Sequence, residues 1–173
     1  MWSFGGGLAV AVYQRHPELV RSLIAAGAYA GWRGSLAPEE VEARLRRVQT
    51  ECERPPEEWI DSYLPGFFAR TMPTDVLDGV RSMMSDVRPA GLLAMLTAFA
   101  EADLTAVLST IVVPTLLLCG EFDVRAPRFV AEALHAGIPA SELVVLPGVG
   151  HYVNLEAPET FNAEIRRFLG PGC

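Results

Sequence analysis

The sequence has little cysteine, with Cys52, Cys119 and Cys173 far apart in the chain. An odd number, without a CxxC pair or a histidine at ligand spacing, argues against a disulfide framework and a zinc site. A reducing compartment is the simplest setting. No apolar run approaches the roughly 18 residues that a membrane span needs, and the N-terminus lacks a basic region followed by an apolar stretch. There is no basic block either, and the net charge is -7, so a phosphate-backbone partner is disfavoured. Together these absences predict a soluble, cytoplasmic protein that binds neither nucleic acid nor membrane. Internal repeats and low-complexity tracts are also missing.

What remains is a chain of 173 residues, half of them apolar, long enough for one domain with a fair core. Gly5-Gly6-Gly7 leads into Leu8, Val12 and Tyr13 at helical spacing, and Pro17 stops that helix after Arg15-His16. Val20 to Ala26 reads as a short buried strand. From Pro38 to about Glu101 the texture changes to charged helical segments punctuated by proline. The first of these places Val41, Leu45 and Val48 on one face, with Glu40–Arg44 and Glu42–Arg46 as i,i+4 pairs outside. Trp59, Ile60, Tyr63 and Leu64 begin another. Pro73 and Pro89 suit first-turn positions of two more, the second carrying the apolar stretch Leu92 to Phe99, which needs cover on most sides.

After Leu108 strand and helix alternate again. Ile111 to Cys119 is a β-rich run, Ala126 to Ala136 a helix with Phe129, Val130 and Leu134 inward, and Leu143 to Leu146 a further strand. Pro158 opens a last helix with Phe161, Ile165, Phe168 and Leu169 on one stripe. Near-continuous apolar strands separated by helices indicate an α/β protein with a parallel sheet covered on both faces.

Three polar residues stand at informative places. Met1-Trp2-Ser3-Phe4-Gly5 follows the G-x-S-x-G turn, in which small residues two before and two after the serine prevent collision, except that Met1 occupies the first glycine position. Alternatively, Ser3 merely caps the helix that follows. Three glycines in a first turn cost helix stability, and close packing against sheet or substrate is a better reason for them. Asp123 ends Gly120-Glu121-Phe122-Asp123, directly after a strand, where catalysts gather in parallel sheets; the lesser alternative is a helix N-cap, and Glu121 is the back-up carboxylate. His151 follows Gly148-Val149-Gly150, whose glycines leave room for an imidazole to reach the serine, whereas His16 and His135 have ordinary solvated explanations.

The order serine, acid, histidine, one on each successive strand end, is that of one serine-hydrolase fold and not of the others. Trp2-Ser3-Phe4-Gly5-Gly6-Gly7, Val113-Pro114-Thr115 through Gly120-Glu121-Phe122-Asp123, and Gly150-His151 through Asn154-Leu155-Glu156-Ala157-Pro158 resemble the elbow, acid and histidine segments of the α/β-hydrolase family. The resemblance runs over the whole chain. It implies a nucleophile, Ser3, a general base and acid, His151, an orienting Asp123, and an oxyanion donor in the Phe4 backbone N–H. It implies that residues 1–36 carry the elbow, helix and strand of the core, 37–102 a helical cap, and 103–173 the rest of the core. Trp2, Trp59, Phe67, Phe68, Leu96 and Phe99 are candidates for the pocket of a small ester, lactone or related carbonyl substrate. No metal or organic cofactor is implied.

The family builds its sheet from more strands than the chain encodes, so the expectation is the C-terminal part of that fold, a residual parallel sheet of about three strands with flanking helices and a cap. On this expectation the Val20–Ala26 strand is an unpaired edge open to homo-oligomerisation, one oxyanion donor is missing, and the isolated chain has impaired activity. The competing expectation is a non-catalytic remnant that binds a partner through the sheet edge.

Overall fold

Strands buried on both faces read as continuous apolar runs, and Thr115–Gly120 fits that pattern: every residue of it is buried. A computed structural model describes residues 1–170; Cys173 lies outside the described residues. Among those residues the order is α1 (Phe4–Arg15), β1 (Leu23–Ala26), α2 (Pro38–Cys52), α3 (Ile60–Tyr63), α4 (Thr74–Ser85), α5 (Pro89–Glu101), α6 (Thr105–Leu108), β2 (Thr115–Gly120), α7 (Arg128–Gly137), β3 (Ser141–Leu146), α8 (Val153–Glu156) and α9 (Pro158–Leu169). The sheet is parallel, in the order β1-β2-β3, with Leu23 opposite Thr115 and Thr115 opposite Ser141. The core is a three-stranded parallel sheet with flanking helices, the α/β architecture expected of the chain.

Alternation along β2 divides the core in two. Leu117 meets Ala9, Val10 and Tyr13 of α1, Val107 and Leu108 of α6, and Leu134 of α7. Leu116 and Leu118 meet Ala26, Leu146 and Val153, with Phe161, Ile165 and Phe168 of α9 packed behind them. The triple glycine is used for close approach: a Cβ on Gly6 would lie 2.3 Å from the Cβ of Ala28, and one on Gly7 would lie 2.5 Å from the Phe99 ring.

Several expectations are corrected. β1 begins at Leu23 and not at Val20, because pairing starts where the Leu23 N–H reaches the Pro114 carbonyl at 2.9 Å. β2 begins after Pro114, which has no N–H to give a ladder. The outer edge of β1 is not bare: Trp2 bridges Ala26 in parallel, the Ser3 N–H donates to the Ala26 carbonyl at 2.8 Å, and the Ala26 N–H donates to the Met1 carbonyl at 2.9 Å. Phe129 is exposed, since neighbours on a helix point about 100° apart and Val130, Ala131 and Leu134 take the inner face of α7. Leu169 is likewise exposed. In α5 only Phe99 and Ala100 are fully buried; Leu93 and Leu96 are half-covered, because the helix lies along α2 and leaves another side open to a cavity. The i,i+4 pairs of α2 form, Arg44 to Glu40 at 2.6 Å and Arg46 to Glu42 at 3.3 Å.

No helix among the described residues is long and apolar enough to cross a membrane.

Gly6→Ala separates packing from helix propensity. Alanine is worth about 1 kcal/mol over glycine inside a helix, whereas overpacking costs about 1–3 kcal/mol. The variant is expected to be less stable by urea denaturation, and a gain in stability would mean that α1 and Ala28 have room to part.

Candidate active site

Asp123 lies three residues beyond the end of β2, and its two carboxylate oxygens do different jobs. Oδ1 accepts the backbone N–H groups of Arg125 and Ala126, each at 2.8 Å, which fixes the carboxylate on its own loop. Oδ2 meets Nδ1 of His151 at 2.7 Å. The carboxylate can only accept, so Nδ1 donates, and Nε2 of the neutral ring is left as the acceptor. Both side chains are sealed from solvent. The N-cap of α7 is Pro127, so Asp123 does not cap that helix. Glu121 is exposed and accepts the Gly148 N–H at 2.8 Å, a loop contact away from the imidazole.

Two glycines allow the meeting. A Cβ on Gly120 would lie 2.1 Å from the Gly150 carbonyl, so only glycine lets the acid loop and the histidine loop run this close. They are stitched together by the Glu121 N–H to Leu146 and the Phe122 N–H to Val149, both 2.9 Å. Gly27, just past β1, has φ +54°, and a Cβ there would stand 2.9 Å from Cε1 of His151 and 3.3 Å from Oδ2 of Asp123. Absence of that atom makes the seat of the pair.

Ser3 is the one non-glycine residue with positive φ among those described, at φ 49° and ψ -121°. Its side chain makes no capping hydrogen bond, and an N-cap residue has extended backbone, so capping does not explain it. A strained conformation of this kind costs of order 1–3 kcal/mol and persists only where the surroundings impose it. Here the surroundings are the Trp2 bridge to β1 and the turn into α1. Trp2 also ties the serine turn to the histidine loop: its indole N–H donates to the His151 carbonyl at 3.0 Å, its ring lies 4.8 Å from the imidazole, and it stacks on Tyr152 at 4.3 Å. The Phe4 N–H, at the first helical position, belongs to the set of donors that a helix leaves unpaired.

Ser3 and His151 open into one cavity of about 560 Å³. Of the residues expected to line it, Trp2, Phe67, Leu96 and Phe99 do, joined by Tyr29, Trp32 and Tyr63. Trp59 and Phe68 do not: Trp59 is buried under the helices against Tyr63, and Phe68 stacks on Tyr152 at 5.4 Å. Burial pushes the Tyr29 and Tyr152 hydroxyls up to about 12, and it raises that of Tyr63, which donates to buried Glu51. These phenols therefore stay protonated at neutral pH.

Glu156, within the histidine segment, has a role that its sequence position does not reveal. Its buried carboxylate accepts the Ala69 N–H at 2.8 Å and the Gly150 N–H, while its carbonyl takes Arg70 Nη2 at 2.6 Å. One side chain thus clamps the helical segment between β1 and β2 to the residue before His151. Among the described residues no three His, Cys, Asp or Glu side chains gather as a metal site would require.

Comparisons with known proteins give relatives of one family. A model described as "Alpha/beta hydrolase family" matches residues 1–164. The pimeloyl-[acyl-carrier protein] methyl ester esterase of Yersinia enterocolitica is 28% identical over 167 residues, which are 93% of this chain and 64% of that protein. A thermophilic esterase from Thermogutta terrifontis superposes with a TM-score of 0.84 at 28% identity, over 97% of this chain and 62% of that one. An esterase from Exiguobacterium antarcticum does so at 0.84 and 27%, over 98% and 65%. The chain therefore spans somewhat under two thirds of the length of these relatives.

The serine turn gives a test of strain. Glycine tolerates the backbone of residue 3 at no steric cost but loses roughly 0.5–1 kcal/mol of chain entropy relative to alanine, against strain of order 1–3 kcal/mol. Ser3→Gly is expected to be more stable than Ser3→Ala by about 1 kcal/mol in urea titrations. A Ser3→Gly variant less stable than Ser3→Ala by roughly 0.5–1 kcal/mol, the entropy difference alone, would mean that the turn stores no strain.

Proposed function

The chain belongs to the alpha/beta hydrolase family, and on that premise we propose that Ser3, His151 and Asp123 are the triad of a serine-dependent hydrolase acting on a small ester, lactone or related carbonyl compound. The observation that carries this reading is the joint opening of a strained serine and a buried, carboxylate-held imidazole into one cavity. The names of the relatives favour an ester among the carbonyl substrates.

In the proposed reaction the Ser3 hydroxyl adds to the substrate carbonyl carbon while His151 Nε2 takes its proton. The carbonyl π electrons move onto oxygen, and the Phe4 N–H faces the resulting oxyanion. Collapse breaks the ester C–O bond, the leaving alkoxide takes the proton back from Nε2, and the acyl group stays on Ser3. Water then repeats the sequence and releases the acid. Asp123 remains ionised throughout and stabilises the imidazolium by the Nδ1–H bond. The helices within residues 37–102 act as a cap, and the apolar wall of Trp2, Phe67, Leu96 and Phe99 takes an apolar part of the substrate.

A fluorophosphonate probe is expected to label the chain on Ser3, read by intact-mass and peptide mass spectrometry. Ser3→Ala should abolish labelling, and Asp123→Asn should slow it by about 10³- to 10⁴-fold because the imidazole loses its tautomer. Labelling that survives Ser3→Ala refutes the assignment.

A further inference from the structure

The cavity holds charge that this chemistry does not use. Arg44, Arg47 and Arg125 line it beside Ser3 and His151, in a chain whose net charge is -7. Two of the three are neutralised locally: Arg44 Nε pairs with Glu40 at 2.6 Å, and Arg47 Nε with Glu51 at 2.8 Å. Arg125 differs. Among the described residues no carboxylate lies within ion-pairing distance of its guanidinium, and the nearby Asp123 is committed to His151 and to backbone N–H groups.

Aromatic faces hold the unpaired cation instead. The Arg125 guanidinium carbon lies 4.3 Å from the Tyr63 ring centre and 4.3 Å from that of Phe67, and Nη2 donates to the Tyr63 carbonyl at 3.2 Å. Nε is buried without a partner. Arg47 sits over the same Tyr63 ring at 4.4 Å, so two like charges share one phenol. Burial, and then the charges of Arg47 and Arg44, hold the Arg125 pKa below its usual value. Each guanidinium keeps one terminal nitrogen, Arg44 Nη2, Arg47 Nη1 and Arg125 Nη1, with no acceptor among the described residues. A structural role alone would not need three guanidinium groups on a cavity wall, one of them without a counterion.

We propose that Arg125, flanked by Arg44 and Arg47, is an anion subsite, and that the substrate is an ester whose acyl chain ends in a free carboxylate. The inference rests on the serine-hydrolase reading of the same cavity for its reacting end. A single uncompensated cation matches a monoanion, and the planar guanidinium fork matches a carboxylate. Phe67 sets the distance: its ring touches the Arg125 guanidinium on one side and is 6.2 Å from the His151 ring, nearly parallel to it. The substrate chain therefore crosses one aromatic ring between its charged end and its ester carbonyl. That crossing is apolar, as an acyl chain of a few methylenes requires.

The test is calorimetric titration of the full Ser3→Ala chain with monomethyl adipate and with dimethyl adipate, its uncharged counterpart. The monoester is expected to bind about tenfold more tightly or better, as a charge-assisted hydrogen bond provides. That preference should shrink as salt is raised and vanish in Ser3→Ala/Arg125→Gln. Equal binding of the two esters, or a preference that survives Arg125→Gln, overturns the subsite. If circular dichroism shows the Arg125→Gln variant unfolded, Arg125→Met, which keeps an apolar stem against Tyr63 and Phe67, serves in its place, with a lost preference supporting the subsite and an unchanged one overturning it. Binding in the Ser3→Ala background needs no nucleophile. A failure of fluorophosphonate labelling would thus strike the serine assignment alone, and a missing charge preference the anion subsite alone.

Discussion

The hydrogen bond between Asp123 Oδ2 and His151 Nδ1, 2.7 Å long and closed to solvent, is the contact around which the rest of the molecule is arranged. A buried carboxylate is costly unless its oxygens are satisfied. Here one oxygen takes two backbone N–H groups and the other takes the imidazole, so the charge is matched only when the loops after β2 and β3 are both in place. The parallel sheet brings the two strand ends side by side, and Gly120 and Gly27 remove the atoms that would hold the loops apart. Trp2 from the serine turn and Glu156 from α8 then grip the histidine loop from opposite sides in sequence.

The arrangement sacrifices local stability for position. Ser3 takes a backbone conformation that glycine would hold more cheaply, and three glycines follow in a helix that alanines would favour. The return is close packing: α1 drops onto Ala28 and Phe99, and the serine stays on the rim of the same cavity as the imidazole. Stability is recovered in β2, buried along its whole length between two apolar clusters.

Much of this was legible in the sequence, because apolar runs, prolines and glycines act locally. The strands around Leu117 and Leu143, the helix starts at Pro38, Pro89 and Pro158, and the serine-acid-histidine order follow from such signals. What was not legible depends on partners distant in the chain. Phe129 is as apolar as Val130, and only the direction of α7 against the sheet decides which of them is covered. Trp59 and Phe68 resemble pocket residues by composition, but the turns at Pro56–Glu58 and Leu64–Gly66 send them elsewhere. The edge of β1 was expected to be open, and it meets the backbone of Met1 to Ser3. Arg125 gives no local sign of being unpaired, and Glu156 gives none of bridging Ala69 to Gly150.

Low-field proton NMR of the His151 ring, before and after reaction with diisopropyl fluorophosphate, tests the central contact most directly. A slowly exchanging Nδ1 proton is expected at low field, one that disappears in Asp123→Ala and moves when Ser3 is phosphorylated by the reagent with loss of fluoride, because the same imidazole then faces the adduct. A ring proton that is absent, or that is indifferent to both Asp123 and the Ser3 adduct, would contradict it.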